Sequence, residues 1–148
     1  TARLRTLLML YLDTSLLVSA LSFETRTDDV LRWLPKQDAS RLTISDWVVT
    51  EFSSALSLKL RMGLIDTIQR GAALAHFKQL AVNTFASLPV EASAFPAAAR
   101  FCDQSHLNLR AGDALHLAIC ANHGATICTL DQVLGRAASL VGVAFVLL

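Results

Sequence analysis

Two kinds of apolar segment alternate along the chain. Short unbroken runs predict strands buried in a sheet, at residues 7–12, 42–44, 85–90, 126–130 and 143–147. Longer segments with apolar residues at helical spacing predict helices between the strands, at residues 16–23, 27 to about 35, 47–62, 66–82, 91–106, 111–123 and 131–138. Strands separated by helices indicate an α/β fold, an α/β/α sandwich with a mainly parallel central sheet.

Capping and breaking residues support several of these boundaries. Ser45 or Asp46 is expected to cap the helix over residues 47–62, which Gly63 then ends, and Gly124 ends the helix over 111–123. Pro96 falls inside the helix over 91–106 and is expected in its first turn or at a kink.

Glu51 is an acid on the apolar side of a predicted helix. On a helical wheel it lies between Trp47, Ala55 and Leu58. Desolvating an unpaired carboxylate is costly, so this position needs an explanation. Three are open: a buried ion pair with an Arg or Lys, a protonated carboxyl group, or a metal ligand.

Three aspartates occupy comparable settings. Asp113 lies among apolar residues in the first turn of a helix, where it either interacts with the helix dipole or joins a site. Asp13 and Asp131 each follow a strand and precede a helix, which is an N-cap position. Ligands also bind at the carboxyl ends of parallel strands, and the two roles are compatible.

Convergence of these acids would have a chemical consequence. Four carboxylates brought together repel each other unless a cation compensates their charge. Hard oxygen ligands suit Mg²⁺ or Mn²⁺ better than zinc, which favours His and Cys. Such a cluster can activate water for hydrolysis of a phosphodiester.

Composition and charge limit the alternatives. The 148 residues form one domain, and 53% hydrophobic residues with a mean hydropathy of +0.48 indicate buried helices or an apolar face covered by an oligomer or partner. No apolar run approaches the roughly 18 residues of a membrane span. Three cysteines without a C-x-x-C pair favour a reducing cytoplasm. A net charge of +1 lacks the basic excess common in nucleic-acid binders, so any such role must come from a local site.

The N-terminal residues are expected to lie outside the domain. Residues 1–8 carry Arg3 and Arg5 but no acid, and they are too few for a signal peptide. We interpret them as an N-terminal extension, an expression remnant or the product of an alternative start. Met9 is then a candidate natural start, and residues 9–148 form the single domain.

Four short segments resemble the acidic motifs of PIN-domain ribonucleases. They are Leu-Asp-Thr-Ser ending at Ser15, Val-Val-Thr-Glu-Phe around Glu51, Asp-Ala-Leu-His-Leu-Ala from Asp113, and Thr-Leu-Asp ending at Asp131. Their order and spacing are similar to those of toxin subunits of bacterial VapBC-type toxin–antitoxin pairs. The resemblance covers the chain from Met9 onward, without departure at the four acids.

This resemblance implies a bacterial cytoplasmic endoribonuclease that cleaves single-stranded or loop RNA and leaves a 5′-phosphate. It assigns binding of Mg²⁺ or Mn²⁺ and positioning of the attacking water to four acids, Asp13, Glu51, Asp113 and Asp131. Ser15 and Thr129 would support these carboxylates, or the waters of the metal, by hydrogen bonds. The implied partners are RNA, a cognate VapB-type antitoxin that inserts a segment beside the acidic site, and a second copy in a homodimer.

Two other functions remain open. A catalytically silent PIN-like RNA-binding or scaffold domain would share the fold, although the intact acids argue against it. A phosphatase of the haloacid dehalogenase type requires a second Asp where Ser15 stands.

Among the four histidines, His116 lies within a motif, but we assign it to packing or an interface. Five basic residues are candidates either for phosphate contacts or for surface solubility: Arg26, Arg32, Lys59, Arg61 and Arg110.

Overall fold

A five-stranded sheet forms the centre of the molecule. The computed structural model describes residues 9–148, and its strands have the spatial order β3-β2-β1-β4-β5. Every neighbouring pair is parallel. The strands are β1 (Leu10–Leu12), β2 (Leu42–Ile44), β3 (Ala86–Ser87), β4 (Thr126–Thr129) and β5 (Phe145–Leu147). Helices flank this sheet, so the predicted α/β/α sandwich is confirmed.

Seven α-helices lie within residues 9–148. They are α1 (Thr14–Leu21), α2 (Thr27–Trp33), α3 (Asp46–Arg61), α4 (Thr67–Asn83), α5 (Ala94–Asp103), α6 (Ala111–His123) and α7 (Gln132–Val141). Three short 3₁₀ turns complete the connections, at Leu34–Lys36, Ala39–Arg41 and Ser105–Leu107. None of these helices is long and apolar enough to cross a bilayer.

The core is densest around β1 and α6. All residues of the central strand β1 are buried, whereas the residues of the edge strand β3 are exposed. Residues 114–120 of α6 are buried without interruption, which is typical of a helix enclosed by the fold. Gly124 ends α6 with a φ of +63°, a left-handed conformation that favours glycine.

Two predicted elements are shorter in the structure. The strand expected over residues 85–90 is reduced to Ala86–Ser87, because Pro89 has no N–H to continue the ladder after Leu88 donates to Ile44 O. The helix expected over 91–106 is confined to α5, and a 3₁₀ turn follows it. Pro96 lies in the first turn of α5, as predicted. The predicted extension, residues 1–8, lies outside the described residues.

Candidate functional site

Asp13 lies where β1 and β4 end side by side. Leu12 pairs with Cys128, and the Asp13 N–H donates to Cys128 O at 3.0 Å. Asp13 is the N-cap of α1 by its backbone position, but its side chain makes no capping hydrogen bond. Instead, its Oδ2 accepts from Ser15 Oγ at 2.7 Å and from Thr129 Oγ1 at 2.8 Å. The carboxylate, on a residue only 4% exposed, is therefore fixed at the end of the sheet.

Asp131 is connected to the same point through Thr129. The Asp131 N–H donates to Thr129 Oγ1 at 3.0 Å, so one hydroxyl links the two aspartates. Asp131 Oδ1 accepts from the Val133 N–H at 2.8 Å and caps α7 as predicted. Its other oxygen, Oδ2, accepts no hydrogen bond from the described residues. One carboxylate can thus cap a helix and still offer an oxygen to a ligand.

Glu51, on α3, is paired with a histidine. Its Oε1 accepts from Thr14 Oγ1 at 2.8 Å and from Nε2 of His116, a residue of α6 that is fully buried. Burial by itself would raise the pKa of Glu51, but the hydrogen bond and charge of His116 bring it below its ordinary value. Burial would likewise lower the pKa of His116, yet Glu51 and the charge of Asp13 raise it overall. The partner of Glu51 is therefore neither an Arg nor a Lys but His116, which favours the ionised form of the carboxyl group.

The first turn of α6 closes against the Glu51 carboxylate. Trp47 Nε1 donates to Gly112 O at 3.2 Å, which joins α3 to α6. A Cβ atom at Gly112 would lie 2.8 Å from Glu51 Oε2, too close for an unstrained contact. The absence of a side chain at this position leaves room for the Glu51 carboxylate beside the first turn of α6.

Asp113 is the next residue of α6 after Gly112, and the charges of the other acids act on its carboxyl group. It is partly buried, and its side chain makes no hydrogen bond or ion pair with the residues that the structure describes. Burial and then the negative charges of Asp13, Asp131 and Glu51 raise its pKa to about 6, although His116 partly opposes the shift. The four acids therefore share one electrostatic environment.

All four predicted acids line one cavity of about 810 Å³. Thr14 and Ser15 also contribute to its wall, together with Arg26 and Arg110. At one side of the cavity, ligand atoms of Asp13, Glu51 and the buried His116 all lie within 4.8 Å of one another. That close group leaves out Asp113 and Asp131. It adds His116, for which the sequence alone predicts a role in packing or an interface. The metal-binding and catalytic roles of the four acids stay predictions.

The donor set fits a hard divalent cation. Carboxylate oxygens dominate it, as Mg²⁺ and Mn²⁺ prefer. Burial contributes most to the raised pKa of Asp113, and the rest comes from repulsion by the other acids, which a cation would relieve. His116 is less suited to bind the cation because its Nε2 is already hydrogen-bonded to Glu51 Oε1.

His116 is the residue that the sequence reasoning undervalued. Its burial agrees with the packing assignment, but its contacts belong to the acidic site. The available signal was its spacing, because residues three apart on a helix share a face and His116 follows Asp113 by three.

A second cavity, of about 630 Å³, lies between α3, α5 and α6 and has a mainly apolar wall. It includes Trp47 and Gly112, but Asp46 is the only acid among its described lining residues. Its composition does not suit metal binding.

The fold and the site define a class of protein: an α/β/α domain with an acidic cavity at the carboxyl edge of its parallel sheet. The PIN domain family model matches residues 10–140, and the chain belongs to the PIN domain family. PIN domains are generally nucleases. The predicted resemblance is therefore confirmed.

Several solved structures have the same fold. FitAcB from Neisseria gonorrhoeae superposes with a TM-score of 0.71 at 21% identity, over 93% of this chain and 96% of that one. VapBC2 from Rickettsia felis, bound to a promoter DNA fragment, gives 0.65 at 15% identity over 95% and 98%. Mycobacterium tuberculosis VapC20, a sarcin–ricin loop cleaving toxin, gives 0.69 at 16% identity over 86% and 94%. A search of curated proteins finds no match.

Proposed function

We propose that this protein is a Mg²⁺- or Mn²⁺-dependent endoribonuclease, the toxin of a VapBC-type toxin–antitoxin pair. The observation that carries the proposal is the presence of Asp13, Glu51, Asp113 and Asp131 on one cavity at the carboxyl edge of the sheet. Membership of the PIN domain family, whose members are generally nucleases, supports it, as do structural neighbours that include a VapBC2 complex and the toxin VapC20.

The chain's own residues prepare this cavity for phosphodiester hydrolysis. A bound divalent cation supplies Lewis-acid chemistry, lowering the pKa of water and stabilising charge on the phosphoryl oxygens. Ser15 and Thr129 hold the Asp13 carboxylate in place for that cation. Asp113 and Asp131 each keep carboxylate oxygens free of hydrogen bonds with described residues, which leaves them able to orient the attacking water.

Arg110 is the residue best suited to contact an RNA phosphate. Four carboxylates repel a polyanion, and a net charge of +1 gives no general attraction to offset that repulsion. Arg26 lines the cavity but is paired with Asp29 at 2.7 Å. Arg110 is exposed, lines the cavity and makes no salt bridge within residues 9–148. It also lines an adjoining cavity of about 380 Å³, which offers room for a flanking nucleotide.

The decisive experiment compares cleavage of structured RNAs by wild type, Asp13→Asn and Glu51→Gln. The sarcin–ricin loop belongs in the panel because a structural neighbour cleaves it. Cleavage is expected with Mg²⁺ or Mn²⁺, to be lost with EDTA and to be lost in both variants. Glu91→Gln removes an exposed acid that is not part of the cavity wall and serves as the matched control. Cleavage that persists in EDTA or in both site variants contradicts the proposal, and RNA binding without cleavage favours the silent scaffold.

The partner proposals have their own tests. Expression without an antitoxin is expected to arrest bacterial growth, and Asp113→Asn to relieve that arrest. Several apolar side chains are exposed, including Phe23 at 91% and Ile68 at 81%, and contact with a second copy or an antitoxin would cover such residues. We propose a homodimer, which light scattering after size exclusion measures directly. A monomeric mass at all concentrations contradicts the homodimer.

A further inference from the structure

Behind Glu51 lies a chain of buried polar side chains that the proposed hydrolysis does not itself require. Ser45 Oγ and Tyr11 Oη are 2.8 Å apart, Tyr11 Oη and His116 Nδ1 are 2.7 Å apart, and His116 Nε2 bonds to Glu51 Oε1. Ser45, Tyr11 and His116 are all fully buried. We call these three residues the Ser45–Tyr11–His116 relay.

The relay uses polar groups where apolar ones would satisfy the fold. Tyr11 stands in the Leu-Tyr-Leu strand β1, where a Phe would fill nearly the same volume without a hydroxyl to satisfy. Ser45 is the N-cap residue of α3, yet its side chain makes no capping hydrogen bond. Its hydroxyl bonds to Tyr11 instead. Both hydroxyls therefore serve His116 rather than local structure.

The direction of the bond to Glu51 follows from donor and acceptor chemistry. An ionised carboxylate only accepts hydrogen bonds, so Nε2 of His116 carries a proton and donates to Glu51 Oε1. Tyr11 Oη can accept from Nδ1 of an imidazolium or donate to Nδ1 of a neutral ring. Either way, the relay fixes the ring and both of its nitrogens are engaged.

We propose that the Ser45–Tyr11–His116 relay is a positioning device that holds the Glu51 carboxylate in its metal-binding orientation, and that His116 is not itself a metal ligand. The proposal rests on the proposed function, which makes Glu51 a ligand. His116 lies within 4.8 Å of Asp13 and Glu51. On this proposal it does so because it orients the Glu51 ligand, not because it coordinates the ion itself. A hydrogen-bonded support of this kind commonly changes metal affinity when it is removed.

Pulsed electron paramagnetic resonance of the Mn²⁺-loaded wild-type protein directly tests whether His116 is a metal ligand. If His116 only positions Glu51, the spectrum contains no coupling from a directly coordinated nitrogen. A coordinated-nitrogen coupling that disappears in His116→Gln overturns the proposal. The expected result, no such coupling, is read on the wild-type protein alone and does not depend on whether any variant folds.

Substitutions within the relay test whether it positions the Glu51 carboxylate for metal binding. Tyr11→Phe removes one hydroxyl and is expected to weaken Mn²⁺ binding about tenfold, the lower end of the range for outer-shell partners. His116→Gln keeps a donor near Glu51 and is expected to bind Mn²⁺ better than His116→Leu, which has none. Thr43→Val is the matched control, because it removes a buried hydroxyl that donates to Leu10 O at 3.0 Å outside the relay. It should lose stability but keep wild-type Mn²⁺ affinity.

The outcomes separate this inference from the function on which it rests. Wild-type Mn²⁺ affinity in Tyr11→Phe, or equal losses in Tyr11→Phe and Thr43→Val, overturns the relay while wild-type cleavage still stands. Wild-type protein that neither binds Mn²⁺ nor cleaves RNA overturns the proposed function itself. Thermal melting of each variant shows how much stability each substitution removes, so that affinities are compared among folded proteins.

Discussion

Gly112→Ala should damage the site through a single methyl group. The added Cβ would lie 2.8 Å from Glu51 Oε2 and 3.4 Å from Trp47 Cζ2. The Glu51 carboxylate is anchored on its other oxygen by Thr14 and His116, so it cannot turn away freely. Trp47 is likewise tied to the Gly112 carbonyl. The methyl group must therefore displace either the carboxylate or the start of α6.

The size of the effect follows from this overlap. Relief of the contact requires a shift of about 0.5 Å, which is the tolerance within which functional groups must be held. A misplacement of about 1 Å can cost a hundredfold in rate, so we expect about a tenfold loss of Mn²⁺ affinity and of cleavage. The fold should survive, because alanine favours a helix over glycine by up to about 1 kcal/mol.

Gly71→Ala is the matched control for this substitution. Gly71 lies within α4, and a Cβ there would meet nothing within 4 Å. It should therefore show the helix-propensity gain alone, with unchanged cleavage. Isothermal titration with Mn²⁺, cleavage rates and thermal melting of both variants provide the comparison. Wild-type Mn²⁺ affinity and cleavage in Gly112→Ala would refute the close approach of Glu51 to α6 as a constraint on the site.

Three further predictions address the other acids and the rim of the cavity. Asp131→Ala should lower the free energy of unfolding by about 1 kcal/mol because it removes the α7 cap, whereas Asp131→Asn keeps that cap. Both variants should lose Mn²⁺ affinity. Retained affinity in Asp131→Asn contradicts a ligand role. Because the pKa of Asp113 is raised to about 6, a proton competes with the cation as pH falls through that value. Mn²⁺ affinity should therefore drop on acidification, and the slope of its logarithm against pH, measured by titration, should be shallower in Asp113→Asn; an unchanged slope contradicts this. Arg110→Ala should weaken RNA binding and reduce its salt dependence by about one ion per RNA, while Arg61→Ala, an exposed arginine bonded to Ser57, should not; equal effects of the two would assign both to general charge.

Local sequence identified the aspartates at strand ends but not what holds them. The cap positions of Asp13 and Asp131 follow from short-range order, because each acid stands between a strand and a helix. Only Asp131 uses its side chain for the cap. The Asp13 carboxylate bonds to Thr129, a residue 116 positions away that reaches it only because β4 pairs with β1.

Glu51 illustrates the same division for the helices. Its position among apolar residues was visible in the sequence, and it correctly indicated a carboxylate with a special partner. The three explanations for it did not include His116, because α6 meets α3 only in the tertiary structure. The spacing of Asp113 and His116 on one helical face was visible, but it did not say which elements that face contacts.

The sequence by itself determined the alternation of strands and helices and the family, and it identified the four acids as candidates, because each of these depends on short-range patterns of polarity and spacing. The order of the strands, the cavity shared by those acids, the close contact at Gly112 and the Ser45–Tyr11–His116 relay were decided by the tertiary structure. These features join residues from separate elements, and their distances depend on how parallel strands pair and how helices pack across them. Asp113 shows this physically, since its raised pKa arises from burial and from three acids that are distant in the chain.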